Sequence, residues 1–117
     1  MFINSINSNI NNINSKANIS LIAERNLLPK NCKKKLVENA RHIGDSGDTV
    51  HISLYNFKTP KTQPETHVRI VYWKYKTPYS PEFKYVIKGA SHKDRQNKTY
   101  NVINKYLNIL KEKLELL

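Results

Sequence analysis

The chain has 117 residues, a formal net charge of +11 and a pI near 9.8. That length carries one domain with an adequate core, the single cysteine, Cys32, excludes an internal disulfide framework, and no run approaches the roughly 18 apolar residues of a membrane span. Charge of this sign suits nucleic acid, an anionic membrane surface or an acidic protein, and for a small basic folded domain nucleic acid is the leading expectation.

The chain opens on "MFINSINSNINNINSK". Ile3, Ile6, Ile10 and Ile13 fall at helical spacing, but seven asparagines crowd the first 18 residues, and asparagine is a poor helix former. Residues 1–16 are therefore expected to be a low-complexity N-terminal extension. Without a basic start before a continuous apolar stretch, the segment is not expected to be a secretory signal. Residues 17–117 are expected to form a single α+β RNA-binding domain. In "ANISLIAER", Ala17, Ile19, Leu21 and Ala23 alternate with polar residues, which predicts a first strand. "LLPKNCKKKLVENARHIG" predicts a helix that starts at Pro29 or Asn31. Its stripe is Cys32, Leu36, Ala40 and Ile43, and Gly44 ends it. "GDSGD" is a turn.

Three more strands follow. "TVHISLYNF" places Val50, Ile52 and Leu54 on one face. "THVRIVYWKYK" places Val68, Ile70 and Tyr72 opposite Arg69, Val71, Trp73 and Tyr75. "EFKYVIKG" alternates Phe83, Tyr85 and Ile87 with Lys84, Val86 and Lys88. The proline-rich connections "KTPKTQPE" and "TPYSP" interrupt the ladders. A closing helix begins after a Ser91–Asp94 capping pair and carries a stripe of Tyr100, Ile103, Leu107, Leu110, Leu114 and Leu117. The order is β-α-β-β-β-α. A four-stranded, mostly antiparallel sheet with both helices on one face buries all these stripes at once.

With that order in view, the closing segment "TYNVINKYLNILKEKL" resembles the ribosome hibernation promoting factors, also called ribosomal subunit-interface proteins. The last helix of that family typically reads Asp-x-Tyr-x-Ala-Ile-Asp, then leucines at helical spacing among lysines. Tyr100, Val102, Ile103, Asn104, Leu107, Leu110 and Leu114 stand in the same register. Lys98 takes the place of the family's aspartate, and Asn104 and Asn108 replace acidic positions. The α-β-β-β-α portion also resembles double-stranded-RNA-binding domains, through "GASHKDRQNK". The first resemblance implies rRNA as partner, on the small ribosomal subunit near the decoding region. There the protein would occlude mRNA and tRNA sites and hold ribosomes inactive, a form of translation regulation.

Two constellations carry these expectations. Lys33, Lys34, Lys35 and Arg41 on the first helix, with Lys93, Arg95 and Lys98 at the start of the last, are expected to form a basic ridge that follows an RNA backbone. Tyr55, Phe57, Arg69, Trp73, Tyr75, Lys84 and Lys88 are expected to point away from the helices, as a stacking platform or a partner-binding face. The latter supports a competing reading, a protein-interaction module such as a secreted effector or a phage-type inhibitor of a host machine. The histidines His42, His51, His67 and His92 are dispersed, and no Cys-x-x-Cys or His-x-x-x-His pairing occurs. No metal, no cofactor and no catalysis are therefore expected. A cytoplasmic location without membrane binding is expected, with an organelle matrix or export left open.

Overall fold

Six elements follow one another in the computed structural model, which describes residues 17–58, 63–89 and 91–116. They are β1 (Asn18–Ala23), α1 (Cys32–Ala40), β2 (Thr49–Phe57), β3 (Glu65–Trp73), β4 (Glu82–Ile87) and α2 (His92–Glu115). The expected extension at residues 1–16, the middle of the loop after Phe57, and Leu117 lie outside the described residues.

The fold is the expected α+β arrangement. The sheet runs β1-β2-β3-β4. β1 pairs with β2 in parallel, Asn18 beside Thr49 and Ala23 beside Leu54, and the other two pairings are antiparallel. A parallel pair needs a crossover, and α1 with its flanking turns supplies it. Side chains alternate across a strand, so the register fixes two faces. Ile19, Leu21, Val50, Ile52, Leu54, Val68, Ile70 and Tyr72 share the face that the helices cover, and Val50, Ile52, Leu54, Val68, Ile70 and Tyr72 are buried.

From α1 the core receives Leu36 and Ala40, with Ile43 just beyond. From α2 it receives Thr99, Ile103, Leu107 and Leu110. Each fully buried leucine or isoleucine contributes roughly 1.5–3 kcal/mol. Cys32, expected on the α1 stripe, is only half-buried at the first turn. Tyr106 stacks on Phe83 with ring centroids 4.3 Å apart, tying α2 to β4. Because β4 is an edge strand, Tyr85 on the same face stays half exposed.

The Ser91–Asp94 pair caps the last helix in one direction: the Ser91 hydroxyl accepts from the Asp94 N–H at 3.0 Å, while the Asp94 carboxylate pairs with Lys98. The turn between α1 and β2 is closed by glycine. Gly47 adopts φ +96°, and a Cβ there would sit 2.9 Å from the Tyr75 ring, so only glycine fits.

Candidate nucleic-acid interface

The two helices run in the same direction. Gln96, in the first turns of α2, donates to the carbonyl of Asn26, just ahead of α1. Asn39, near the end of α1, donates to Asn104 and accepts from Lys111 farther along α2. Both helices therefore begin at the end of the sheet where β1, β2 and β4 finish. Parallel helices bring their positive N-terminal dipole ends together. α1 adds to this, since its first turn holds no acid and Asn31 makes no side-chain cap; of its first-turn N–H groups, that of Cys32 donates to the Pro29 carbonyl.

That end is also where the cations collect. Lys33, Lys34 and Lys35 open α1 and Lys93 opens α2, all four exposed. Among the described residues none of the four has a carboxylate within ion-pair distance. Arg25, Lys30, Lys58 and Lys88 lie in the connections of the same end and are exposed too. The acids offset these only in part. Glu24, Glu38, Asp45, Asp48, Glu65, Glu82 and Asp94 each hold a partner inside the fold. Glu112 and Glu115 lie at the far end of α2. The charge excess is thus polarised along the strand direction.

This geometry revises the expected ridge. Arg95 is only 7 % exposed. It lies on the buried stripe with Thr99 and Ile103, and its guanidinium donates to the Gly89 carbonyl at 3.1 Å. Arg95 is therefore not among the surface cations. Arg41 follows the last turn of α1, at the opposite end, and pairs with Glu38 at 3.3 Å. Lys98 stays at the basic end but is shared between Asp94 at 3.0 Å and the Lys88 carbonyl at 3.3 Å. A ridge along the helices becomes a cluster at their common start. Sequence reasoning passed over Arg25, Lys30 and Lys58. The available signal was that each sits in a connection on the same side of the predicted sheet.

Searched against models of known protein families and against curated proteins, the chain matches none.

The face of the sheet away from the helices carries the second constellation. Register places Tyr55, Phe57, Arg69, Trp73 and Lys84 there, as expected. Tyr75 departs from the expectation. It lies past β3, in a turn, with its ring against Gly47 and the Lys76 ammonium 5.2 Å from its centroid. Lys88 follows β4 and reaches Glu65 at 3.6 Å. Arg69 pairs with Glu82 and holds that carboxyl below its ordinary value. Two histidines join the aromatics. His51 lies 6.1 Å from Trp73 between ring centroids, and its Nδ1 is 3.0 Å from the Ser20 hydroxyl. His67 lies 5.1 Å from Tyr55 and 5.4 Å from Phe57. The alternation that set Tyr55 on this face also set His51 there, so that signal was present in the sequence.

Among the described residues no group of three or more His, Cys, Asp or Glu side chains gathers as a metal site. Among them, too, no helix is long and apolar enough to cross a membrane.

Proposed function

We propose that the protein is a non-catalytic RNA-binding protein that docks on rRNA of the small ribosomal subunit through its basic end. There it would cover the decoding region and hold ribosomes inactive, as the resemblance to hibernation factors implies. One observation carries the RNA reading: Lys33, Lys34, Lys35 and Lys93 have no carboxylate partner among the described residues at the end where both helices begin, while most carboxylates are engaged within the fold. Flexible ammonium groups at such an end can reach successive phosphates and release condensed counterions. A-form RNA, read through backbone shape rather than base edges, suits that kind of contact. The β-α-β-β-β-α order supports the ribosomal version.

Co-sedimentation with ribosomes on a sucrose gradient tests the proposal. The protein should travel with the small subunit at low salt. Four phosphate contacts predict a loss of affinity of about 100-fold between 50 and 200 mM salt. The double reversal Lys33→Glu/Lys34→Glu should release it with the fold intact. A reversed protein that still co-sediments normally ends this reading.

A protein partner on the aromatic sheet face is the second reading, favoured by the exposure of Tyr55, Phe57 and Trp73. Nuclease digestion of a pull-down separates the two, because it abolishes an RNA-held association and spares a protein contact.

A further inference from the structure

The sheet face opposite the helices presents an arrangement that backbone-phosphate binding leaves unused. Trp73, Tyr55 and Phe57 are 45, 46 and 47 % exposed, although their strands are central and their apolar neighbours across the sheet are fully buried. Among the described residues no helix covers them. Each ring lies beside an imidazole, Trp73 by His51 and both Tyr55 and Phe57 by His67.

The rings form two groups rather than one patch. Trp73 with His51 occupies the end of the sheet where Thr49 pairs with Trp73. Tyr55 and Phe57, set about His67, occupy the other end. Tyr55 lies six residues along β2 from Thr49, which at about 3.4 Å per residue separates the groups by about 20 Å. Between them Arg69 and Lys84 stand side by side in register. Arg69 is engaged by Glu82, and Lys84 has no carboxylate partner among the described residues. Burial, with Arg69 nearby, holds His51 below its ordinary 6.5, so at neutral pH its ring is an uncharged aromatic surface beside Trp73.

We propose that this face binds a short single-stranded segment of RNA, with unpaired bases stacking at Trp73 and at Tyr55–Phe57 and the intervening phosphates near Lys84 and Arg69. The inference rests on the RNA reading above and adds a second, base-contacting surface to it. Rings interleaved with cations are the combination that sequence-tolerant single-strand binders use. A span of about 20 Å accommodates on the order of four nucleotides, the low end of known single-strand site sizes. A second copy of this chain is a poor occupant, since molecules of net charge +11, each with Lys84 on this face, repel.

Trp73 is the only tryptophan, so the face reports on itself. The full chain is titrated with an octauridine, with an RNA duplex, and with heparin, a polyanion without bases. Octauridine should quench Trp73 emission, whereas heparin should bind and leave it unchanged. Tyr55→Ala and Tyr55→Leu should each weaken octauridine about tenfold; the leucine variant keeps apolar bulk and removes only the aromatic plane. Neither variant should change heparin or duplex binding, which Lys33→Glu/Lys34→Glu should weaken instead. If duplex and heparin bind but octauridine leaves Trp73 unquenched, or both Tyr55 variants bind octauridine normally, this inference falls and the basic-end reading stands. If octauridine quenches Trp73 while Lys33→Glu/Lys34→Glu leaves the duplex untouched, the basic-end reading falls alone. A protein contact that survives nuclease and is lost in both Tyr55 variants would assign the face to a protein and overturn the inference.

Discussion

The Tyr72 hydroxyl donates a hydrogen bond to the buried carboxylate of Asp48. The same carboxylate accepts from the N–H of Tyr75 at 2.7 Å and of Asp45 at 2.9 Å, and Lys74 lies 3.5 Å away. One side chain thus joins the turn before β2 to the end of β3, at the end of the sheet opposite the cations.

Acid sensitivity follows from that cluster. Burial alone would raise the Asp48 carboxyl, but Tyr72, the two N–H groups and Lys74 outweigh it and hold it below its ordinary 3.8. The unfolded chain takes up this proton near that value and the folded chain only at lower pH. The contribution to stability is therefore complete above the unfolded value and is lost as pH falls through the folded one. Asp48→Asn should cost about 1–3 kcal/mol in urea unfolding at neutral pH. The gap to the parent protein should narrow as pH falls below the unfolded carboxyl's 3.8; an unchanged gap would show that the ionised form is not what stabilises.

Burial and the bond to Asp48 push the Tyr72 phenol well above its ordinary value. Tyr72→Phe should therefore lower stability by about 1–2 kcal/mol at neutral pH through loss of one donor to a buried charge. Near-ultraviolet spectra of the parent protein should show Tyr72 resisting ionisation until unfolding, with Tyr106, which burial also raises, ionising above its ordinary value.

Gly47 makes a sharper test of local geometry. Gly47→Ala forces a side chain into the left-handed region and against the Tyr75 ring. A loss of about 1–2 kcal/mol from the backbone term is expected, read as a lowered urea midpoint. Gly89→Ala supplies the contrast: its φ is not in the left-handed region, and its nearest neighbour would be the tip of the Asp94 side chain, 2.7 Å from the added Cβ.

Arg95 and Lys93 separate stability from binding. Arg95→Ala removes a buried side chain and leaves the Gly89 carbonyl without its donor, so about 1–3 kcal/mol of stability should be lost. Affinity for duplex RNA, measured where the variant is folded, should hold. Lys93→Ala should do the reverse, leaving the urea midpoint in place and reducing the salt slope of RNA binding by about one. Equal effects of the two on affinity would contradict the placement of Arg95.

The strands and both helix stripes were legible because each follows a single period. Val50, Ile52 and Leu54 could face only one way once alternation was recognised, and Ile103, Leu107 and Leu110 recur at helical spacing. The cationic site was less legible, for a physical reason. Arg95 and Thr99 extend the same stripe backwards at four-residue intervals, yet an arginine reads as a surface residue until a buried carbonyl, here that of Gly89, is found to accept from it. Placing Lys93 at the same end as Lys33, and away from Arg41, required the relative direction of the two helices, and composition carries no direction. Tyr75 kept the alternation of β3 on paper, but the ladder stops at Trp73 and the chain turns.

The parallel pairing of β1 bears on how the molecule assembles. β2, β3 and β4 meet their antiparallel partners through successive turns, whereas Ser20 of β1 finds His51 across 31 residues of chain. Contacts so distant in sequence form only after the intervening chain is ordered. The three-stranded meander should be the early nucleus and β1 the last strand to dock, so the amides of β1 should exchange with solvent deuterium first.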